Sequence, residues 1–304
     1  MMKEFEHTGK AMGTDYSIAI ISNSEAMAKI MFASAQSEIE AYEARFSRFL
    51  PTSELSTLNE RKNMIVSKNF LTVTQQAYEL FTKTSGIFNP LVQISRLGYN
   101  QTFESLKDNN QDSSADNNDD SNYDIDFSST IINPKESRII LKDGQKLDYG
   151  GFLKGYLAEL LAKELISNFK GVTGVIVNLG GDIHTRGLDV NQEKFVFSIY
   201  NPVLDNEDIQ ITLHNQSLAT SGTYKRTWLR EGEIVNHILD ATGKKNPTTD
   251  IASASVVHEN GATAEAFAKV LLSLGYEKTV KILSSEQLSF IIINTDGEVY
   301  NKIL

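Results

Sequence analysis

Apolar side chains recur every three or four positions in several stretches of the chain. Between residues 24 and 46 this spacing is sustained, and Ser24 is a suitable N-cap, so the pattern predicts a helix there. A second helix is predicted over residues 72–84, where Ser85-Gly86 is a common stop signal. The same spacing predicts three further helices, over residues 152–168, 262–274 and 276–283.

Strands are predicted where β-branched and aromatic residues alternate with polar ones or form short runs. Residues 4–22 are predicted to form paired strands around the turn Met12-Gly13-Thr14, and a buried strand is predicted over residues 172–178. Further strands are predicted over 137–142, 194–200, 208–214, 217–221 and 252–258, with hairpins over 224–239 and 288–300. No internal repeat is evident in the sequence. The elements together predict an α+β fold, with largely antiparallel sheet flanked by helices.

One segment, residues 108–126, differs from the rest in composition. Asp and Asn dominate it, and it contains no basic residue and few apolar ones. Such a segment buries too little surface to offset its ordering entropy, so we predict a flexible acidic insert. A calcium loop is the alternative, but the 12-residue ligand pattern with its central glycine is missing.

Composition excludes several classes of function. The 304 residues include 29 basic and 39 acidic side chains, a formal charge of −10, and no cysteine. Without cysteine there are no disulfides, thiolate nucleophiles, zinc ribbons or iron–sulfur clusters. The negative charge argues against nucleic-acid binding, which needs clustered cations. Neither a transmembrane run nor a secretory signal is evident, so no membrane association and a cytoplasmic location are expected.

The segment Asp148-Tyr149-Gly150-Gly151-Phe152-Leu153-Lys154 is the first candidate for chemistry. Two glycines directly before a helix let a ligand approach the backbone, and the helix N-terminus favours phosphate. Lys154 lies in the first turn, where a cation opposes the helix dipole, so an anionic partner is expected. The alternative is an ordinary turn whose glycines serve only geometry.

Two later segments are weaker candidates. Gly180-Gly181-Asp182 follows the predicted strand 172–178, and a tight turn with Asp182 as a capping residue is the favoured interpretation. His237 stands three residues before Asp240, and a histidine near a carboxylate can act as a general base. A surface histidine at a strand end is the alternative.

Read in order along the chain, the motifs resemble those of the ApbE family, the FAD:protein FMN transferases. The resemblance spans about residues 8–300 apart from the insert. Besides the segments above, the motifs that carry it are Met12-Gly13-Thr14, Phe46-Ser47-Arg48-Phe49, the stretch 53–59, Ser85-Gly86-Ile87-Phe88-Asn89-Pro90 and Ser221-Gly222-Thr223-Tyr224.

The resemblance implies a fold and an activity. It implies one T-fold-like domain over residues 1–304, with two intertwined lobes and a ligand cleft between them. Members of the family cut FAD and pass FMN to a Thr or Ser hydroxyl of a target protein, leaving AMP, and some hydrolyse FAD to FMN and AMP. A magnesium ion sits at the pyrophosphate.

The resemblance also assigns residues. His237, together with Asp240, matches the family position that activates the acceptor hydroxyl. Gly151 would offer its carbonyl, and Glu265 its carboxylate, to magnesium. The implied FAD contacts are Met12, Phe49, Ile87, Phe88, Asn89, Asp148, Lys154, Ser221, Gly222 and Tyr224.

The sequence departs from the family at the metal motif. The family carries Ala-Asp-x-x-x-Thr on a late helix, where this chain has Ala264-Glu265-Ala266-Phe267-Ala268-Lys269. Lys269 stands at a ligand position without being a ligand, one helical turn from Glu265, so the two can pair. The ammonium of Lys269 would repel magnesium. It could also supply part of the positive charge that magnesium would otherwise place against the pyrophosphate.

Three functions therefore stay open at this point. The first is FMN transfer or FAD hydrolysis with a modified metal site, and its expected partner is a flavin-accepting protein such as a cytoplasmic reductase. The second is a non-catalytic FAD-binding protein with a degenerate magnesium site. The third is an unrelated α+β ligand-binding or scaffold protein.

Overall fold

The computed structural model describes residues 1–97, 123–224, 226–230, 232–282 and 288–302. The predicted acidic insert therefore lies outside the described residues except for its last four. Of those four, Tyr123 is anchored to the loop before the insert. The hydroxyl of Tyr123 accepts from Gln93 N and donates to Leu91 O, each at 3.1 Å.

The described elements are helices and short antiparallel strands. The helices are α1 (Glu25–Phe46), α2 (Glu54–Arg61), α3 (Lys68–Lys83), α4 (Leu153–Asn168), α5 (Gly261–Leu274) and α6 (Tyr276–Ile282). The strands are β1 (Lys3–Ala11), β2 (Thr14–Ser22), β3 (Asn63–Ile65), β4 (Ile131–Asn133), β5 (Arg138–Ile140), β6 (Val172–Leu179), β7 (Asp182–Gly187), β8 (Phe195–Asn201), β9 (Asn206–Leu213), β10 (Ser217–Gly222), β11 (Thr227–Arg230), β12 (Glu233–Asn236), β13 (Ile251–His258), β14 (Ser289–Asn294) and β15 (Val299–Lys302). The predicted α+β class is confirmed.

Local sequence explains where most helices begin. The hydroxyls of Ser24, Ser53 and Ser67 accept from the N–H groups three residues later, and the amide of Asn260 does the same for α5. Helix α4 differs from these four, because its N-cap residue Phe152 makes no side-chain capping bond. The start of α4 therefore depends on groups from elsewhere in the molecule.

The main sheet follows the chain order. Its eight strands lie in the order β1-β2-β6-β7-β10-β13-β14-β15, and every neighbouring pair is antiparallel. Each half has four strands with helices inserted between the second and third. Helices α1 to α4 separate β2 from β6, and α5 and α6 separate β13 from β14. The two halves of the sheet thus share one layout of strands and helices.

The two faces of the main sheet bury different clusters. On one face the large core includes residues of α1, α3, α4 and α5, together with Val256 and Ile292 of the sheet. On the other face Val257 and Ile293 pack in a second cluster with the β8–β9 hairpin. Neighbouring residues of β13 and β14 therefore face opposite sides, as the two-residue strand period requires.

Several elements were missed by the sequence predictions. The sequence patterns do not predict helix α2 or the short strands β3 and β4, and for β7 they predict only a turn at its first residue, Asp182. Strand β7 is polar in sequence, yet Asp182, His184 and Thr185 are buried in it. Buried polar side chains conceal the alternation on which strand prediction depends.

Candidate active site

Three connections meet at one end of the main sheet. The β6–β7 turn packs on the β1–β2 turn, where Gly180 N donates to Asp15 O at 3.0 Å. Gly180 has φ +69°, and an added Cβ would lie 2.5 Å from the hydroxyl of Thr14. Strand β10 pairs Ala219 with Asp182, so its following residues extend past the start of β7. Met12, Asp182, Ser221 and Gly222 therefore share this end.

The turn residues at this end are held tightly. Met12 has φ 53°, and its N–H donates to Glu43 Oε1 at 2.8 Å. After β10, an added Cβ on Gly222 would lie 2.3 Å from Cε1 of Tyr224, so glycine is needed for the ring to approach. The Tyr224 ring lies 6.1 Å from that of Tyr200. The predicted FAD contacts Met12, Gly222 and Tyr224 thus lie at this end of the sheet, in the β1–β2 turn, at the end of β10 and just after it.

The glycine corner before α4 rests on the segment that contains Phe88. An added Cβ on Gly151 would lie 2.8 Å from Cε2 of Phe88, so only glycine fits without displacing the ring. Phe88 is 7% exposed and packs edge-on against Phe152, with ring centroids 5.8 Å apart. The chain is also fixed by Asp148 N, which donates to Pro90 O at 2.8 Å. The ring of Phe88 therefore packs directly against the glycine corner.

The neighbouring predicted contacts differ in what they do. Asn89 holds its loop, because Oδ1 accepts from Leu91 N at 2.9 Å and Nδ2 donates to Ile125 O at 2.8 Å. Ile87 is half-buried beside it and packs against the large core. The structure thus places Asn89 as a tether, with both ends of its amide engaged.

Arg48 contacts two residues that the family resemblance assigns to FAD binding, Asp148 and Phe49. Its guanidinium lies 3.5 Å from Asp148 Oδ2 and 4.6 Å from the ring centroid of Phe49. Phe49 is 41% exposed, whereas Asp148 also accepts from Gly150 N at 2.8 Å through Oδ1. Arg48 belongs to the sequence motif 46–49, but the motif alone predicts no role for it.

Four charged side chains form a buried cluster at the start of α4. Lys154 pairs with Asp182 and, at 2.8 Å, with Glu265 Oε1, which also accepts from Lys269 at 2.9 Å. Glu265 is fully buried, and its Oε2 accepts from Gly155 N at 2.8 Å. The anionic partner expected for Lys154 is thus supplied by the protein itself. Asp182, interpreted from sequence as a turn residue, belongs to this cluster.

Burial and neighbouring charges set the protonation of the cluster. Burial alone would raise the pKa of Glu265, but Lys154 and Lys269 lower it to about 2. Burial and the negative charge of Glu265 raise the pKa of Asp182. Burial opposes the charge of Lys154, yet the two carboxylates outweigh it and raise its pKa.

The residues present do not fit the magnesium ion that the resemblance implies. Among the described residues there is no group of three or more His, Cys, Asp or Glu side chains able to hold a metal. Both oxygens of Glu265 already accept hydrogen bonds, and Lys269 brings a positive charge beside them. Magnesium needs several oxygen ligands in near-octahedral geometry, which this arrangement does not offer.

The structure does not bring His237 and Asp240 together. Burial, and then the positive charges of Arg226, Lys269 and Lys154, lower the pKa of His237 to about 3. Within the described part of the chain, Nδ1 of His237 has no hydrogen-bond partner. Asp240 Oδ1 instead accepts from the N–H and hydroxyl of Thr242, at 3.1 and 2.7 Å, and so holds its own loop.

A pocket of about 160 Å³ lies between the β1–β2 hairpin and α1, lined among others by His7, Lys10 and Glu40, and no predicted site residue lines it. None of the described helices is both long and apolar enough to cross a membrane.

Comparisons with known proteins agree with the sequence motifs. The model of the ApbE family matches residues 12–292. A relative from Klebsiella pneumoniae, named FAD:protein FMN transferase, is 22% identical over 301 residues, covering 95% of this chain and 84% of its own length. A relative of the same name from Vibrio cholerae is 24% identical over 302 residues, covering 95% and 87%.

Solved structures show the same fold. The ApbE protein of Thermotoga maritima matches with a TM-score of 0.81 at 21% identity, covering 99% of this chain and 97% of that one. The flavin transferase ApbE from Vibrio cholerae matches with a TM-score of 0.77 at 21% identity, covering 99% and 98%. With the family model matched over most of its length, the chain belongs to the ApbE family.

Proposed function

We propose that this protein binds FAD and transfers FMN from it to a Thr or Ser hydroxyl of an acceptor protein, releasing AMP. Membership of the ApbE family and the names of the relatives support flavin transfer. The observation that carries the proposal is the cluster at the start of α4. There Lys154 and Lys269 stand beside the Gly151 corner, within electrostatic reach of His237.

The proposed placement of FAD follows from these groups. The diphosphate lies at Gly151 and Lys269, where the ammonium of Lys269 borders the glycine corner and favours an anion. The flavin lies toward Met12, Ser221 and Tyr224 on the sheet end. The adenosine half lies toward Asp148 and the exposed ring of Phe49.

The proposed reaction is a single phosphoryl transfer. The acceptor hydroxyl oxygen forms a bond to the phosphorus of the FMN half, and the P–O bond to the AMP phosphate breaks. The hydroxyl proton passes to the imidazole of His237 and then to the leaving AMP. His237 is neutral at physiological pH, as a proton acceptor must be. The lysines stabilise charge that develops on the phosphate oxygens.

A second candidate is FAD binding without transfer. The observation that favours it is charge balance: Asp182 and Glu265 neutralise Lys154 and Lys269, so the cluster offers no net positive charge. Hydrolysis of FAD to FMN and AMP is the intermediate case, in which water takes the place of the acceptor.

Chromatography of the nucleotides separates these functions. Purified protein is incubated with FAD and a protein extract from its own source, and AMP, FMN and protein-bound flavin fluorescence are measured. Transfer predicts AMP together with flavin covalently attached to a protein, and little free FMN. Equal amounts of AMP and free FMN indicate hydrolysis, and FAD that binds but stays intact indicates the non-catalytic candidate. Absence of FAD binding contradicts all three.

A further inference from the structure

Helices α4 and α5 carry the same spaced residues and use them reciprocally. In α4 they are Gly155, Glu159 and Lys163, and in α5 they are Gly261, Glu265 and Lys269, each four positions apart. The helices cross where the glycines meet: an added Cβ on Gly155 would lie 2.3 Å from the carbonyl oxygen of Gly261.

Each glutamate caps the other helix. Glu265 Oε2 accepts from Gly155 N at 2.8 Å, and Glu159 Oε2 accepts from Gly261 N at 2.7 Å. Each glutamate also pairs through Oε1 with the lysine one turn later. Glu265 is therefore one member of a helix-capping pair, and it supplies the cap that α4 lacks in its own sequence. That role explains why its carboxylate is committed to protein groups.

The two lysines of this reciprocal pair have different surroundings. Lys163 has a side chain 48% exposed, and Glu159 accepts from no other lysine among the described residues. Lys269 has a side chain 22% exposed, and Lys154 shares its partner Glu265. The Cδ of Lys269 lies 3.9 Å from the Cβ position of Gly151, so Lys269 borders the corner.

Donor capacity distinguishes Lys269 from Lys154. Lys154 contacts two carboxylates, whereas Lys269 contacts only Glu265 within the described part of the chain. An ammonium has three donors, so Lys269 retains donors for another anion. The positive charge of Lys154 offsets one of the two negative charges of Asp182 and Glu265.

We propose that Lys269 binds the diphosphate of FAD directly, in the place of a divalent cation, and that FAD binding and cleavage are independent of magnesium. The inference rests on the proposed function, because FAD is its ligand. It follows from three observations: Glu265 is committed as a cap, no metal-binding group is present among the described residues, and Lys269 faces the glycine corner. Without Lys269 the remaining cluster would carry one net negative charge and would oppose the diphosphate.

Two lysine variants test the proposed contact. FAD affinity is measured by calorimetry for the wild type, Lys269→Met and Lys163→Met, each in EDTA and in magnesium buffer. We expect Lys269→Met to weaken binding at least tenfold, about 1.4 kcal/mol, and Lys163→Met to leave it unchanged. Equal loss in both variants, or no loss in Lys269→Met, overturns the inference. Circular dichroism confirms that each variant is folded before its affinity is compared.

The buffers separate this inference from the proposed function. We expect the wild type to bind FAD equally in EDTA and in magnesium, and to release AMP at the same rate in both. Binding or cleavage that requires magnesium refutes the role of Lys269 but leaves the proposed function intact. Failure to bind FAD in either buffer refutes the proposed function.

A gain of metal binding provides the third arm. Magnesium is titrated into protein without nucleotide, using the wild type, the double variant E265D/K269T and the matched control E159D/K163T. We expect heat of binding only for E265D/K269T, because the ammonium is replaced by a hydroxyl and the carboxylate is shortened. Magnesium binding by the wild type contradicts the inference, whereas binding by E265D/K269T but not by E159D/K163T supports it.

Discussion

At the scale of single residues, the surroundings of His237 lead to the most specific prediction about catalysis. Its Nδ1 has no partner among the described residues, and burial together with nearby cations lowers its pKa to about 3. The free protein therefore holds it neutral well below neutral pH. A general base with such a pKa is weak, so its contribution depends on its position beside the acceptor hydroxyl.

Replacing His237 tests that contribution. We expect His237→Ala to slow FMN transfer by about 10²–10⁴-fold while FAD affinity changes little. For the wild type, we expect no loss of kcat/KM on acidification until about pH 5 or below, since kcat/KM reports the free enzyme. Transfer rates and FAD affinity are measured in parallel. A variant as active as the wild type would remove His237 from the mechanism.

Some residue roles could be predicted from sequence and others could not. The role of Gly151 could be predicted, because a glycine pair directly before a helix indicates close approach to the backbone. The structure leaves no room for a side chain at this position. Asp182 and Arg48 were missed as site residues because their partners, Lys154 and Asp148, lie far away in sequence. The pairing of His237 with Asp240 was inferred from proximity along the chain, and the fold points Asp240 at its own loop.

At the scale of elements, the reciprocal caps make a testable comparison. Glu265 is buried between two lysines, whereas Glu159 pairs with one lysine that is half exposed. Removing one partner of a buried ion pair leaves an uncompensated charge and costs about 3–5 kcal/mol. We expect Glu265→Ala to lower the free energy of unfolding by about that amount, and Glu159→Ala by clearly less.

Urea unfolding of the two glutamate variants measures the difference. Both variants lose one hydrogen bond to the N-terminus of a helix, so that loss cancels in the comparison. Equal destabilisation would mean that capping, and not the buried lysines, dominates the role of Glu265.

Helices with a sustained apolar stripe could be predicted, and short or polar elements could not. The helix predicted over 24–46 is observed as Glu25–Phe46, because its stripe continues over many turns. Helix α2 was missed because only Leu55 and Leu58 are buried in it. The crossing of α4 and α5 depends on Gly155 and Gly261 meeting across more than a hundred residues, which no local pattern shows.

At the scale of the whole molecule, stability in acid depends on the buried histidine His184. His184 is fully buried in β7, with Nδ1 2.6 Å from the hydroxyl of Ser217. Burial, followed by the charges of Arg186 and Lys163, lowers its pKa to about 3. Below pH 6.5 the unfolded chain protonates this histidine and the folded chain does not, so stability falls as pH falls from about 6.5 toward 3.

The slope of stability against pH measures this linkage. One extra proton bound by the unfolded state corresponds to about 1.4 kcal/mol per pH unit. We expect His184→Asn to reduce the slope of the unfolding free energy between about pH 6 and 4.5 by roughly that amount, whatever its effect at neutral pH. An unchanged slope would show that His184 is protonated in the folded protein.

The main sheet consists of two four-strand halves with the same layout. Each half places a helix with a glycine in its first turn over its strands, and the two helices exchange caps. The α+β class could be predicted from local patterns, but the spatial order of the eight strands in the sheet could not. Strand pairing across the two halves is set by packing between distant segments, such as Ala219 against Asp182.

The central claim is that the diphosphate of FAD lies between the Gly151 corner and Lys269, with no metal ion beside it. A crystal structure of the wild-type protein grown with FAD in magnesium-containing buffer tests it most directly. We predict the ammonium of Lys269 within hydrogen-bond distance of a diphosphate oxygen, and Glu265 still bonded to Gly155 N. A magnesium ion bound between Glu265 and the diphosphate, or FAD seated away from the start of α4, would contradict the claim.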